Sequence, residues 1–300
     1  MLVAQIKTAQ LKISADELAA LVEKAVLDQV NAGRISLPAM PRVAARAFAL
    51  LRKRDFSLAD VAAVIETDPV VAARLVHLAN SVAFATASKL SSVVACVTRL
   101  GGRELSFFLM ETAARHLVAC HDPRIARMCD GLWEHSLSVA ILSHDLVVAL
   151  PGLDAETAYL GGLLHDLGRP LVAEMLLDAE RRLLGKRIDH WIMPAKWLDV
   201  IVRCERSVGL ALARAWTLPD EVVDAVAMCC QYDVERPFRL ANVVRLADGL
   251  AAMSGHDLTA KPEAEVAATV ADGSKLLGLA PEAITGIVNA LPERLAGRMS

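Results

Sequence analysis

Apolar positions recur at helical spacing along nearly the whole chain. Ser14-Ala15-Asp16-Glu17 has the form of a capping box, with Ser14 as N-cap and Glu17 three residues on. Leu18, Leu21, Val22 and Ala25 then form one apolar stripe, ending near Asn31-Ala32-Gly33. After Leu37-Pro38-Ala39-Met40-Pro41 a helix is expected from about Arg42 to Lys53, its basic end suiting a helix C-terminus. Ser57 opens a short helix to about Glu66. Asp68-Pro69 opens another, with Asp as N-cap and Pro at the first helical position, carrying Val71, Leu75, Leu78 and Ala79 inward. A further helix ends at Gly101-Gly102, and Arg103 to His116 reads as one more.

The second half is expected to hold helices at about 124–149, 155–164, 166–184, 194–216, 219–231 and 238–253. Residues 254–300 have weaker periodicity and predict two small helices, one opening at Pro281-Glu282. The expected fold class is all-α. Its organisation is an N-terminal helical extension (1–33), a bundle of short helices (34–120), a second helical subdomain (121–253) and a helical tail (254–300). No βαβ pattern, GxGxxG or GxxxxGK[ST] is present, which disfavours those nucleotide folds.

Composition sharpens this. Of 300 residues, 55% are hydrophobic and 22% charged, which excludes a disordered chain. Aromatics are 4%, so the apolar mass is Ala, Leu and Val, suited to helices rather than a β-sandwich. Formal charge is −3, and the basic run Arg52-Lys53-Arg54 lacks interleaved aromatics; no nucleic-acid partner is expected. The most apolar run, Ser136 to Leu150, is cut by Ser143, His144 and Asp145, and the N-terminus has no long apolar core, so a soluble cytoplasmic protein without membrane insertion is expected. The six Cys form no CxxC pair and read as buried reduced thiols; Cys229 and Cys230, adjacent on a helix, should diverge.

Four His-Asp dipeptides occur, at 121–122, 144–145, 165–166 and 256–257, where eight His and 19 Asp would give about 0.5 by chance. Three of them read as structural: a helix-start turn, a mid-helix pair and a loop. His165-Asp166 differs, because it follows the small apolar run Tyr159-Leu160-Gly161-Gly162-Leu163-Leu164 and precedes Leu167-Gly168-Arg169. Adjacent helical residues point about 100° apart, so both reach one ion only at a helix end or a distortion. His135 and Asp248, each within an apolar helix, are the candidate further ligands. Two imidazoles and two carboxylates would suit Mn, Fe or Zn, and such an ion would activate water and polarise a phosphoryl oxygen. A His–Asp hydrogen-bond network without metal fits the same spacing.

The order His135, His165-Asp166, Asp248 resembles the HD superfamily of metal-dependent phosphohydrolases. The larger pattern resembles the HDOD domain, a related bacterial signalling module. It rests on Leu37-Pro38-Ala39-Met40-Pro41, Ile65-Glu66-Thr67-Asp68-Pro69, Leu78-Ala79-Asn80-Ser81, Leu100-Gly101-Gly102, Leu132-Trp133-Glu134-His135-Ser136, Gly162-Leu163-Leu164-His165-Asp166 and Trp216-Thr217-Leu218-Pro219, in order over about 30–250. The resemblance implies an N-terminal helical subdomain packed on an HD-like helical core. It implies an output or interaction module, here in stand-alone form, with signalling proteins as partners and a nucleotide as a further candidate ligand. Glu205 and Cys229-Cys230 stand where related two-metal enzymes place His, and Arg169 stands where the family-like Lys falls, so a full two-metal site is not expected.

Three readings follow: a non-catalytic signalling module, a one-metal phosphohydrolase in which Arg169 steadies phosphate charge, and an inactive metal or nucleotide sensor. The first predicts an exposed apolar groove around 80–90 and 105–116. Trp133, Trp191, Trp197 and Trp216 read as packing anchors, Asn80-Ser81 as a helix terminus, and His77 as a partly buried structural histidine.

Overall fold

The computed structural model describes residues 15–81, 84, 89–118, 126, 129, 131–184, 194–258 and 261–299. The expectations for Ser14, His121-Asp122, Cys120 and Trp191 lie outside these residues. Among the described residues the chain is all-α, with no strand. The helices are α1 (Ala15–Asn31), α2 (Arg42–Leu51), α3 (Leu58–Ile65), α4 (Pro69–Ala79), α5 (Val93–Val118), α6 (Leu132–Val148), α7 (Ala155–Leu164), α8 (Gly168–Leu184), α9 (Pro194–Ala215), α10 (Asp220–Met228), α11 (Leu240–Met253), α12 (Glu263–Leu277) and α13 (Pro281–Met299).

Local chemistry sets the boundaries. The Ser57 hydroxyl accepts from the Asp60 N–H at 3.4 Å. Asp68 accepts from the N–H groups of Val70 and Val71 at 2.9 and 3.2 Å, with Pro69 at the first helical position. Asp154 caps α7 through the Thr157 N–H at 2.7 Å. Asn80 follows α4 and does more than end it. Its amide donates to the carbonyls of Val76 and Leu90, and its oxygen accepts from the Leu90 N–H, all at 2.8 Å. α5 is broken at Gly101, where φ is 73°, the left-handed region that glycine tolerates.

Two hydrophobic clusters form. The smaller includes Ala47, Val61, Ile65, Leu75, Cys96, Leu105, Phe108 and Leu109. The larger runs from Val22 and Val26 through Leu142, Tyr159 and Val244 to Leu291 and Leu295. α5 is their common wall: Leu105, Phe108 and Leu109 face the smaller cluster, while Phe107, Met110, Ala114 and Leu117 face the larger. Because both faces are covered, residues 105–114 are buried apart from the half-buried Ser106 and offer no exposed apolar surface, while most of the 80–90 side of the expected groove lies outside the described residues. A second tie crosses the fold where the Trp216 indole donates to the Pro38 carbonyl at 3.0 Å.

In the larger core α6 packs on α7, α11 and α13, and α8 packs on α9. Two glycines permit close approaches of backbone to backbone. A Cβ on Gly162 would lie 2.7 Å from the Val139 carbonyl oxygen, and one on Gly168 would lie 1.7 Å from that of Glu205. The 254–300 region departs from expectation. Its helices are 15 and 19 residues long, and they are largely exposed, so their apolar periodicity is weak. His77 is exposed rather than partly buried.

One buried polar knot joins α5, α7 and α13. Tyr159 donates to Glu111, which also accepts from Arg298. Arg298 donates to Glu104 at 2.6 Å and lies over the rings of Phe107 and Tyr159, at 5.5 and 5.1 Å. Burial, then the Glu111 charge, raises the Tyr159 phenol well above its ordinary range, so Tyr159 remains a donor.

Gly162→Ala and Gly168→Ala should each destabilise the protein by at least about 2 kcal/mol, since backbone cannot yield as a side chain does. Urea denaturation checks this.

Candidate metal centre

His165 and Asp166 occupy the turn between α7 and α8. α7 ends at Leu164 with His165 as its C-cap, and the Arg169 N–H bonds back to the Asp166 carbonyl at 3.0 Å. This is the helix end that adjacent residues need to reach one centre. His135 comes from the first turn of α6, whose entry is set by Gly131 at φ 75°. Asp248 comes from the middle of α11.

The four residues named from sequence converge. The imidazole Nε2 atoms of His135 and His165 face each other at 3.3 Å. His135 Nε2 lies 3.5 Å from Asp248 Oδ1 and 3.7 Å from Asp166 Oδ2, and His165 Nε2 lies 3.5 Å from Asp166 Oδ1. Ligand atoms of His135, His165 and Asp248 all lie within 4.8 Å of one another, with Asp166 flanking the imidazoles. The imidazoles are 2% and 7% exposed, so little water reaches them.

The other ring nitrogens decide what this arrangement can hold. His135 Nδ1 is 2.6 Å from the His256 carbonyl, and His165 Nδ1 is 2.7 Å from the Gly162 carbonyl. A carbonyl only accepts, so each Nδ1 carries the proton, and a neutral ring then presents its Nε2 lone pair to the centre. Two such lone pairs face each other beside two carboxylates, an arrangement that a cation between them would satisfy. Donor separations of 3.3–3.7 Å match the ~3.4 Å between tetrahedral ligands at about 2.1 Å from an ion. The residues therefore fit a metal. Burial, then the neighbouring His165 charge, lowers the His135 pKa and favours the neutral ligand form.

The flank of the centre is built differently. Arg169, 3% exposed, lies 3.1 Å from Glu205 and 3.9 Å from Asp166. Arg206 donates to the Cys229 sulfur at 3.3 Å. Glu205 and Cys229 thus sit in an arginine–carboxylate pair and an arginine–thiol contact, while Cys230 is exposed and diverges. Burial opposes the charge on Asp166, but His165 and Arg169 outweigh it and hold its carboxyl well below the ordinary range. Glu205 is pushed up to about 7 by burial and then by the Asp166 carboxylate, against the pull of Arg169.

Sequence reading missed three contributors. His256 reads from sequence as a loop residue, yet its carbonyl fixes the His135 tautomer, and its ring lies 3.3 Å from Glu134. The Gly162 carbonyl fixes His165. Lys261 places its ammonium 2.9 Å from Asp248 Oδ2. Burial disfavours that ammonium's charge, but Asp248 outweighs burial and raises its pKa. Two of these act through main-chain oxygens, which no side-chain pattern announces. The third lies 13 residues from its partner across a helix end. The remaining mid-helix pair, His144-Asp145, is structural as expected: His144 Nδ1 lies 2.9 Å from Asp145, which also pairs with Arg294.

The chain matches the HDOD domain family over residues 37–232, and it belongs to that family. Its fold is shared with a crystal structure from Shewanella amazonensis SB2B, provisionally described as a metal-dependent phosphohydrolase. That likeness has a TM-score of 0.71 and 19% identity, covering 93% of this chain and 99% of the other. It is shared too with a structure from Marinobacter aquaeolei VT8, provisionally described as a signal transduction protein, at TM-score 0.67 and 23% identity over 97% and 67% of the two chains. An HDOD domain protein of unknown function from Geobacter sulfurreducens aligns at TM-score 0.57 and 22% identity, over 90% and 97%. In sequence, a protein of Treponema pallidum (strain Nichols) described as uncharacterized is 24% identical over 196 residues, 63% of this chain. The chain spans 37% of the length of that curated relative. Among the described residues no helix is long and apolar enough to cross a membrane.

The Glu205 shift has a pH consequence. A carboxyl with a raised folded pKa holds its proton more tightly when folded. Its contribution is full below the ordinary value of 4.5 and is lost as pH rises through about 7. Thermal unfolding followed from pH 5 to 8 should show a decline of about 2 kcal/mol from this group, and Glu205→Gln should flatten it.

Proposed function

We propose that this chain is a bacterial signal-transduction output module of the HDOD type, non-catalytic, with a site for one divalent ion at its centre. His135, His165 and Asp248, with Asp166 beside them, would hold the ion. The observation that carries the ion is the pair of facing Nε2 lone pairs whose tautomers two backbone carbonyls fix. Support for the non-catalytic part is the space available. The cavity beside Asp248, lined by Arg245, Lys261, Glu265 and Thr269 among others, is about 50 Å³. Sites for drug-sized organic ligands occupy about 300–1,000 Å³. The ion then serves as a structural or sensed ligand, and partners are signalling proteins that read the outer helical surface.

A one-metal phosphohydrolase is the second reading, favoured by the same donor set. An ion there would polarise a phosphoryl oxygen or activate water. Against it, Arg169 is buried on Glu205 and Asp166, so its charge is already taken up within the protein. A nucleotide ligand and a cytoplasmic location accompany this reading as consequences of the family type.

Elemental analysis of protein purified without chelator, then loaded with Mn, Fe or Zn, should find about one ion per chain. His165→Ala, verified as folded by circular dichroism, should lose it. Activated phosphomonoesters and phosphodiesters should not turn over. No ion after loading overturns the metal site, and ion-dependent turnover lost in His165→Ala overturns the non-catalytic reading in favour of the hydrolase.

A further inference from the structure

Asp248 divides its two carboxylate oxygens. Oδ1 faces the imidazole centre, 3.5 Å from His135 Nε2. Oδ2 accepts from the Lys261 ammonium at 2.9 Å. The ammonium is anchored from its own main chain, where the Lys261 N–H donates to Asp257 Oδ2 at 2.7 Å. Asp248 is 19% exposed and Lys261 34%, so the pair sits at the rim of the small cavity, partly sheltered from water. The family match ends at residue 232, so Lys261 lies outside it.

We propose that Lys261 is a positioning residue that holds Asp248 as a one-oxygen ligand and so sets which ion the site prefers. The inference rests on the ion-site reading above. With Oδ2 bonded to the ammonium, only Oδ1 is directed at the centre. Two imidazole nitrogens and single carboxylate oxygens suit a small ion that accepts nitrogen donors at four-coordinate geometry, such as Zn²⁺. Ca²⁺ takes six to eight oxygen ligands and draws on two-oxygen carboxylates, which the Lys261 bond denies it at Asp248. A fixed positive charge near the centre weakens every divalent ion to a similar degree, so charge alone leaves the ratio of affinities unchanged. The orientation of Asp248 changes the ratio.

The test is titration calorimetry of the full chain with Zn²⁺ and with Ca²⁺, for the parent, Lys261→Met and Lys261→Arg. Lys261→Met frees Oδ2, and the preference for Zn²⁺ over Ca²⁺ should fall by about tenfold. Lys261→Arg keeps a charged donor and should retain most of the preference. Arg245→Met removes equal charge from the same cavity. Arg245 bonds the Cys230 carbonyl and lies over Tyr232 rather than on Asp248, so its loss should shift both affinities together. Ion binding with an unchanged ratio in Lys261→Met overturns the role of Lys261 and leaves the ion site standing. No binding by any variant overturns both.

Discussion

Backbone meets backbone at Gly162 and Gly168, and the position of the His165-Asp166 turn follows from those two contacts. Gly162 lets α7 settle onto the main chain of α6 at Val139 and Ala140. Gly168 lets the start of α8 settle onto α9 at Glu205 and Gly209. Between them lies the His165-Asp166 turn, held at both ends. Side chains that supply packing elsewhere can move by tenths of an ångström, whereas these contacts leave no slack. A centre that needs two imidazole nitrogens 3.3 Å apart has use for such rigidity.

The rigid frame also explains why the two sides of the centre behave differently. On one side, backbone carbonyls fix the imidazole protons, and the lone pairs converge. On the other, Arg169 stands between Asp166 and Glu205, and Arg206 stands on Cys229. Buried carboxylates without cations would be costly, and here guanidinium groups supply the compensation. That flank of the centre is thereby neutralised by the chain itself.

Much of this was legible in the sequence because local chemistry decided it. The Asp68-Pro69 start, the Gly101 break and the α7 boundaries all stand where capping and glycine rules put them. His135 and Asp248 were legible as polar groups in apolar helices, where burial makes an unpartnered side chain expensive, and His165-Asp166 by the small apolar run before it. The 105–116 side of the groove expected around 80–90 and 105–116 is covered for a tertiary reason: α5 is apolar on both faces because two separate clusters use it, and one-dimensional pattern does not say how many neighbours a helix has. Lys261 and the carbonyls of Gly162 and His256 were invisible for a related reason, since their roles arise from where helices end in space.

The knot of Glu111, Tyr159 and Arg298 sets an order of events during synthesis. Glu111 is 3% exposed and sits on the wall shared by both cores, yet its cationic partner lies 187 residues further along the chain. Before α13 is made, the earlier helices can collapse around α5 only by enclosing an acid that has the Tyr159 phenol and the longer-range charges of Arg74 and Arg115, but not the guanidinium that bonds it directly. Packing around Glu111 is therefore expected to be completed only when α13 docks and brings Arg298 to it.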